Sequence, residues 1–268
     1  MVENITPGAS ARNARVVLFD FDGTLSLIRS GWMNVMVPMM VEILAGLKTG
    51  ETEEQLQAVV EELVWRLTGK ETIYQMMAFA DAIRTRGGQP LDPLAYKKMY
   101  LDGLWQKIEG RIRALRLGEA DPEQYLVPGA RELLEELKNR GLKMYLASGT
   151  DDIFIQEEAR LLGIAEYFEG RVYGALEDYQ SFSKAILIQR ILSSADFGGE
   201  QILVFGDGYV EIEVVKNVGG VAVGVASEEP DCTRVDEWKR QRLIGVGADY
   251  IVPNFLCREE LVSSLFSA

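Results

Sequence analysis

Continuous apolar runs recur along the chain, and each is followed by polar residues. Val16–Phe19 is such a run and ends at Asp20, a pattern typical of a strand buried on both faces of a parallel sheet. Four later runs have the same character: Lys143–Ala147, Gln201–Phe205, Val221–Val225 and Tyr250–Val252. The pattern predicts five strands of one sheet.

Helical periodicity separates these strands. Leu133, Leu134 and Leu137 share one face of a predicted helix, with Pro128 near its start and Gly141 just past its end. Further helices are predicted after Asp151 and Asp152, from Ser183, from Tyr209, over Val235–Ile244 and over Glu259–Phe266. Strand–helix alternation of this kind predicts an α/β fold, with a Rossmann-like parallel sheet covered by helices on both faces.

Residues 27–126 interrupt the alternation. They contain helical patterns, such as Gln55–Leu67 and Thr72–Arg84, and no convincing strand. We therefore predict two domains: an α/β catalytic core made of residues 1–26 and 127–268, and a helical domain, residues 27–126, inserted after strand one.

Composition narrows the chemistry. The chain has 268 residues, a net charge of −13 and no histidine. The missing histidine excludes Ser-His-Asp triads and histidine metal sites, so acid–base work falls to Asp, Glu, Lys or Tyr. The negative charge argues against nucleic-acid or anionic-membrane partners, and it means that a phosphate site would need local positive charge.

The cysteines and the N-terminus suggest a location. Cys232 and Cys257 form no CxxC pattern, and residues 1–15 lack the apolar region of a signal peptide. The apolar stretch Trp32–Leu47 is too short for a membrane span and contains Glu42. We expect a cytoplasmic protein, monomeric or homodimeric, with no membrane partner.

Polar groups follow three of the predicted strands. Strand one ends in Asp20–Thr24, the second in Ser148–Thr150, and a later one in Gly206–Gly208 with Glu211 close behind. Lys184 opens a predicted helix. Because ligands bind at the carboxyl ends of parallel strands, we expect these groups to share one rim.

Each of these groups suits a phosphate ester. Asp20 and Asp22 face the same side of extended backbone, and with Asp207 they would form a carboxylate cluster. Like charges at short range are costly, and a hard dication such as Mg²⁺ resolves that cost. Lys184 and Ser148 could bind the oxygens of a phosphoryl group.

Taken in order, these residues resemble a known family. Asp20–Thr24, Ser148, Lys184 and Gly206–Glu211 are similar to the four motifs of the haloacid dehalogenase-like hydrolase superfamily. The resemblance covers roughly residues 14–26 and 127–255. The insert resembles the C1 cap of the phosphoglycolate phosphatase and β-phosphoglucomutase branch.

The resemblance implies catalytic roles. Asp20 would be the nucleophile and form an aspartyl-phosphate. Asp22 would protonate the leaving oxygen and then take a proton from the hydrolytic water. Thr24 would orient Asp22, and Ser148 and Lys184 would hold the phosphoryl group.

The resemblance also implies a Mg²⁺ cofactor. Its site would be formed by Asp20, Asp22, Asp207 and Glu211, with the backbone carbonyl of Phe21 as a further ligand. Glu211 stands where the family usually has Asp. It is one methylene longer, which allows it to act through water or from behind a direct ligand.

Contacts to the substrate beyond the reacting phosphate are predicted for Phe21, Gly149, Arg29 and Lys70. Arg29 follows the first motif closely, and Lys70 lies in a glycine-containing loop between two helices of the insert. The partner that these residues would recognise is a small phosphorylated metabolite.

Simpler structural explanations exist for single motifs. Ser148–Thr150 could cap the following helix, Lys184 could be an exposed helix-start lysine, and Glu211 could be a first-turn carboxylate favoured by the helix dipole. A lone Asp20–Thr24 segment could be an ordinary turn. Four elements in register favour a shared site.

Three functions remain open. The first is a Mg²⁺-dependent phosphatase that acts on a small metabolite. A phosphosugar mutase would use the same aspartates, and a phospho-ligand-binding protein would keep the fold without catalysis. The resemblance implies that Asp22 favours phosphate-ester hydrolysis or a mutase over dehalogenation, since true dehalogenases lack an aspartate there. A dinucleotide-binding protein is disfavoured, because strand one is followed by Asp-Gly-Thr and not by a glycine-rich turn.

Overall fold

The structure is a computed structural model that describes residues 2–176, 183–194 and 197–267. It divides into two compact units, Met1–Ser30 with Arg111–Ala268, and Gly31–Gly110. The sequence-based junctions lie at residues 26/27 and 126/127. The later part of the insert falls in the first unit because Arg111 donates hydrogen bonds to the carbonyl oxygens of residues 27, 28 and 30.

The first unit is built on a seven-stranded sheet. Its strands are β1 (Glu3–Asn4), β2 (Val16–Phe19), β3 (Lys143–Asp151), β4 (Val172–Ala175), β5 (Ile202–Gly206), β6 (Val221–Val225) and β7 (Tyr250–Val252). Their order is β1-β7-β6-β5-β2-β3-β4, and only β1 runs antiparallel to its neighbour. The predicted mostly parallel α/β sheet is confirmed, and β1 and β4 are strands that the pattern did not predict.

Ten α-helices accompany the sheet in the described part of the chain. They are α1 (Met33–Ala45), α2 (Glu53–Leu67), α3 (Thr72–Thr85), α4 (Pro93–Leu117), α5 (Ala130–Asn139), α6 (Asp152–Leu161), α7 (Lys184–Ser194), α8 (Tyr209–Asn217), α9 (Glu237–Gly245) and α10 (Arg258–Phe266). None of these described helices combines the length and the apolar character that a bilayer crossing requires.

Strand β2 lies at the centre of the sheet. All four of its residues are buried, and Phe19 stacks on Phe205 with ring centroids 4.8 Å apart. Phe19 pairs in parallel register with Leu146 of β3 on one side and with Phe205 of β5 on the other. The residues that follow these three strands therefore emerge side by side at one edge of the sheet.

The second unit, Gly31–Gly110, is helical. Thr52 and Gln55 form a reciprocal capping box at the start of α2, which satisfies two otherwise unpaired backbone donors. Phe79 of α3 packs edge-to-face on Tyr96 of α4 at 5.0 Å. Arg86 donates to both oxygens of Glu51, at 2.8 and 2.7 Å, and so closes the far end of α3 onto the loop before α2.

Candidate active site

The loop after β2 is a tight turn organised around one carbonyl. The Phe21 oxygen accepts hydrogen bonds from the backbone N–H groups of residues 24, 25 and 26, at 2.8–3.2 Å. The Phe21 side chain is fully buried. The predicted roles of Phe21 in metal and substrate contact therefore need correction, because its carbonyl is already engaged by the turn and its ring lies in the core.

Asp20 and Lys184 form a buried ion pair at the centre of the site. The ammonium of Lys184 lies 2.8 Å from Asp20 Oδ1 and 2.9 Å from Glu211 Oε2, and the side chains of both Lys184 and Asp20 are less than a tenth exposed. The predicted helix-start lysine is thus not a surface group. It joins a residue at the end of β2 to one at the start of α8.

Glu211 is completely buried and has both oxygens engaged. Oε1 accepts the backbone N–H of Gly208 at 2.9 Å, while Oε2 accepts from Lys184. Gly206 makes this packing possible, because a Cβ at that position would lie 2.2 Å from Glu211 Oε1. The glutamate side chain, which is longer than that of aspartate, therefore fits because Gly206 has no side chain.

Asp207 belongs to a second lysine-centred group. The ammonium of Lys239, on α9, lies 3.0 Å from Asp207 Oδ2 and 3.0 Å from Glu229 Oε1. All three side chains are largely buried. Gly23, with φ of +74°, brings the backbone of the first loop against this group, and a Cβ there would lie 2.4 Å from Asp207 Oδ2.

The carboxylate of Asp22 is held through one oxygen. Oδ2 accepts the hydroxyl of Thr150 at 2.8 Å and the hydroxyl of Ser148 at 3.2 Å. Ser148 also accepts the backbone N–H of Thr150, which fixes the turn at the end of β3. Within residues 2–176, 183–194 and 197–267, Oδ1 of Asp22 is buried and has no hydrogen-bond partner.

Arg29 is engaged by a buried glutamate. Its guanidinium donates to both oxygens of Glu158 on α6, with Nη2 2.6 Å from Oε1, and it lies over the ring of Phe154. Arg29 Nε is 3.9 Å from Asp22 Oδ1. The structure therefore places this predicted substrate contact beside Asp22, in an ion pair that the sequence did not suggest.

Two opposing effects set the pKa values of these groups: burial disfavours the charged forms, and pairing with an opposite charge favours them. Burial raises the pKa of Asp20 well above its ordinary value, and the Lys184 ammonium opposes that rise. Burial disfavours a charged lysine, yet Asp20 and Glu211 outweigh it and raise the pKa of Lys184. In the same way Asp207 and Glu229 outweigh burial and raise the pKa of Lys239. Both lysines are therefore favoured in their charged ammonium form.

The donor set at this rim fits a hard dication. Asp20, Asp207 and Glu211 each offer one carboxylate oxygen, and these three atoms lie within 4.8 Å of one another. Oxygen donors of this kind suit Mg²⁺. With Glu229 included, four carboxylates face two lysines, so negative charge is left over for a cation to neutralise.

Two predicted roles do not match the structure. The Asp22 carboxylate is not a member of the metal-like group, because its Oδ2 faces the two hydroxyls of β3. Thr24 was expected to orient Asp22, but within the described part of the chain its buried hydroxyl has no hydrogen-bond partner. Thr150 orients Asp22 instead.

Substrate contact by Gly149 and by Lys70 stays a prediction. Gly149 lies between Ser148 and Thr150, where the pairing of β3 with β4 shifts register. Lys70 belongs to the second unit, where its exposed side chain lies over the ring of Tyr74 at 5.8 Å. No role was predicted for Lys239, Glu229, Glu158 or Thr150. Of these, only Thr150 lies in a segment, 148–150, that the sequence placed at the predicted rim.

Most of these site residues lie in a segment that matches a known protein family. The family model described as haloacid dehalogenase-like hydrolase matches residues 14–219, more than half of the chain. The chain belongs to the haloacid dehalogenase-like hydrolase family. The predicted resemblance, and with it the prediction of a hydrolase of this family, is confirmed.

Relatives within the family carry phosphatase names. Over 219 residues the chain is 24% identical to a phosphoserine phosphatase of Methanocaldococcus jannaschii, a match covering 78% of this chain and 84% of that protein. It is 30% identical over 103 residues to a 5'-nucleotidase of Pseudomonas aeruginosa, covering 38% of this chain and 46% of that protein. The match thus spans less than half of the nucleotidase.

Solved structures show the same fold. A predicted phosphoglycolate phosphatase from Haemophilus somnus superposes with a TM-score of 0.58 at 16% identity, covering 93% of this chain and 98% of that one. The fold shared within the haloacid dehalogenase-like hydrolases therefore extends over nearly the whole chain.

Proposed function

We propose that this haloacid dehalogenase-like hydrolase is a Mg²⁺-dependent phosphatase that hydrolyses a small phosphorylated metabolite through phospho-Asp20. One observation carries the proposal. Asp20 is paired with a buried ammonium 2.8 Å away, and the Asp22 carboxylate two residues on has one oxygen held by hydroxyls and one without a hydrogen bond in the described chain. The proposed nucleophile, Asp20, and the proposed proton carrier, Asp22, thus have different surroundings.

The first half-reaction would use both aspartates. A carboxylate oxygen of Asp20 attacks the phosphorus atom, and the bond from phosphorus to the ester oxygen breaks. The departing oxygen takes a proton from Asp22. Lys184 supplies a fixed positive charge beside Asp20, where negative charge builds on the phosphoryl oxygens.

The second half-reaction would regenerate the enzyme. Asp22 removes a proton from water, the water oxygen bonds to phosphorus, and the bond to Asp20 breaks to release inorganic phosphate. Thr150 and Ser148 hold Oδ2 of Asp22 in both steps and so fix the orientation of the carboxylate that carries the proton.

The cation would occupy the acidic side of this arrangement. Asp20 and Asp207 would contact it, and Glu211, whose oxygens accept from Gly208 and Lys184, would stand behind them. Mg²⁺ bound there supplies charge neutralisation for the transferring phosphoryl group. The four carboxylates and two lysines of the network support a divalent rather than a monovalent ion.

The substrate class rests on what the relatives' names share. They are named for 5'-nucleotides, phosphoserine and phosphoglycolate, and each of these is a small molecule with a phosphate monoester. The guanidinium of Arg29, close to Asp22, would meet a polar group of the leaving alcohol or tune Asp22 itself.

A direct test is release of inorganic phosphate from p-nitrophenyl phosphate and from a panel of phosphorylated metabolites. We expect Mg²⁺-dependent turnover, loss of it with EDTA, and recovery when Mg²⁺ is restored. Asp20→Asn should abolish turnover while the variant still melts cooperatively. Asp121→Asn, an exposed capping position where Asn caps equally well, serves as the matched control and should retain full activity.

Other outcomes would point to the other functions. Undiminished turnover in Asp20→Asn would contradict the role of Asp20 as the nucleophile. Isomerised sugar phosphate with little free phosphate would identify a mutase. Binding of phosphate esters without turnover across the panel would identify a phospho-ligand-binding protein.

A further inference from the structure

Lys239 is a buried cation that the proposed reaction does not use. Its side chain is only about a tenth exposed, and its ammonium bridges Asp207 Oδ2 and Glu229 Oε1 at 3.0 Å each. Lysine is almost never buried to this extent unless it is paired. Lys239 is paired with Asp207, a carboxylate of the proposed cation site. We therefore expect Lys239 to affect how that site binds a cation.

The pairing restricts the Asp207 carboxylate. Oδ2 is enclosed by the Lys239 ammonium on one side and by the backbone at Gly23 on the other, where a Cβ would lie 2.4 Å away. The bond to the Lys239 ammonium occupies part of the capacity of Oδ2 to accept, and so disfavours this oxygen as a cation ligand. We therefore expect Asp207 to offer a cation its other oxygen.

Single-oxygen contact discriminates between cations. Mg²⁺ demands near-octahedral geometry with short bonds, whereas Ca²⁺ takes more oxygen ligands and accepts both oxygens of one carboxylate. We propose that Lys239, braced by Glu229, is a positioning residue that limits Asp207 to one-oxygen contact and so favours Mg²⁺ over Ca²⁺. This inference rests on the proposed Mg²⁺ site.

A simpler account is that Lys239 only balances charge. Removing the lysine alone would then strengthen the binding of every dication, because the site becomes more negative. The double variant Lys239→Met/Glu229→Gln separates the two accounts, because it removes one positive and one negative charge and leaves the net charge of the site unchanged. Any change in the ratio of Ca²⁺ to Mg²⁺ affinity then reports freedom of the Asp207 carboxylate.

The experiment is calorimetric titration of the full chain with MgCl₂ and with CaCl₂ separately, without substrate. We expect the wild type to bind Mg²⁺ more tightly than Ca²⁺. In the double variant the affinity ratio should shift toward Ca²⁺ by about 10-fold, the lower end of what partners of metal ligands typically contribute. The single variant Lys239→Arg keeps a donor for Asp207, so its ratio of Ca²⁺ to Mg²⁺ affinity should equal that of the wild type.

Matched controls make the result decisive. Lys216 also bonds a buried aspartate, Asp249, at 2.8–2.9 Å, but outside the acidic group, so Lys216→Met should leave the ratio unchanged. If the double variant does not give a cooperative melt, Lys239→Gln, whose side chain is too short to reach Asp207, is titrated instead and should shift the ratio the same way.

Each failure has its own signature. Equal changes for both cations in the double variant, or no change, would overturn the role of Lys239 while leaving the phosphatase proposal intact. Failure of the wild type to bind Mg²⁺ at all would overturn the proposed metal site itself, and with it this inference.

Discussion

Thr150 donates its hydroxyl hydrogen to Oδ2 of Asp22 over 2.8 Å, although 128 positions separate the two residues along the chain. The bond exists because β2 and β3 are neighbours and both end at the same edge of the sheet. It gives the two oxygens of Asp22 different surroundings. Oδ2 accepts hydrogen bonds from hydroxyl groups, whereas Oδ1 has no hydrogen-bond partner in the described part of the chain.

Replacement of Thr150 tests this asymmetry. Thr150→Val keeps the shape and removes the hydroxyl, so Asp22 loses its shorter hydrogen bond. We expect kcat to fall by about 10-fold or more with an alkyl phosphate, because a misplaced acid protonates the leaving oxygen poorly. The fall should be smaller with p-nitrophenyl phosphate, whose leaving group needs little protonation. Thr150→Ser should restore most of kcat, and equal losses with both substrates would argue against the role.

Gly206 offers a steric test of the Glu211 network. The methyl group of Gly206→Ala would meet Glu211 Oε1 at 2.2 Å and its Cγ at 2.4 Å. Glu211 must then move away from Lys184 and from the Gly208 N–H, so urea denaturation should show a loss of about 1–3 kcal/mol in unfolding free energy, together with lost activity. Gly110→Ala, with no atom within 4 Å, is the control and should stabilise α4 by up to about 1 kcal/mol.

The ion pair between Arg29 and Glu158 should behave as a coupled unit. Both side chains are buried, so removal of one partner leaves an uncompensated charge in the core. Arg29→Met or Glu158→Met alone should each cost about 3–5 kcal/mol in unfolding free energy. The combined Arg29→Met/Glu158→Met variant should cost less than the sum of the single changes. Additive costs would show that the residues do not depend on each other.

An exposed pair sets the scale for that measurement. Arg84 and Asp81 also form an ion pair, but both side chains are more than half exposed. Solvent screens such pairs, so Asp81→Ala should change the unfolding free energy by about 0–1 kcal/mol.

The second unit offers a test of pH dependence. Hydrogen bonds from Arg86 and Thr49 lower the pKa of Glu51 from 4.5 to about 2. A carboxyl with a lowered pKa in the folded state contributes stability at neutral pH, and that contribution fades as pH falls from about 4.5 toward 2. The difference in Tm between wild type and Glu51→Gln should therefore be larger at pH 7 than at pH 3. An unchanged difference would mean that the pair is not formed in solution.

Much of the fold was predictable because buried parallel strands leave a plain signal. Val16–Phe19 is apolar throughout since both of its faces are covered, and the four later runs behave alike. β1 consists of the two polar residues Glu3 and Asn4, and β4 contains Gly174 and the half-buried Tyr173, so neither forms a continuous apolar run. Strands without such a run gave no signal in the sequence.

Much of the site was predictable because its residues follow strands. Asp20 lies close to Asp207, and Ser148 contacts Asp22, because β3, β2 and β5 are adjacent. Lys239 gave no such signal: it lies within a polar helix, and its partners are 32 and 10 positions away. The engagement of the Phe21 carbonyl could not be predicted either, since it depends on how the turn closes on itself.

The burial of Lys184 and Lys239 also governs how the protein would respond to acylating reagents. Acylation requires a neutral, accessible amine, and both lysines are enclosed and held in the ammonium form by their carboxylates. Exposed lysines such as Lys70 and Lys98 should react first. Lys184 and Lys239, the amines closest to the proposed chemistry, would then be labelled last. A survey of lysine reactivity would therefore fail to detect the two lysines on which the site depends.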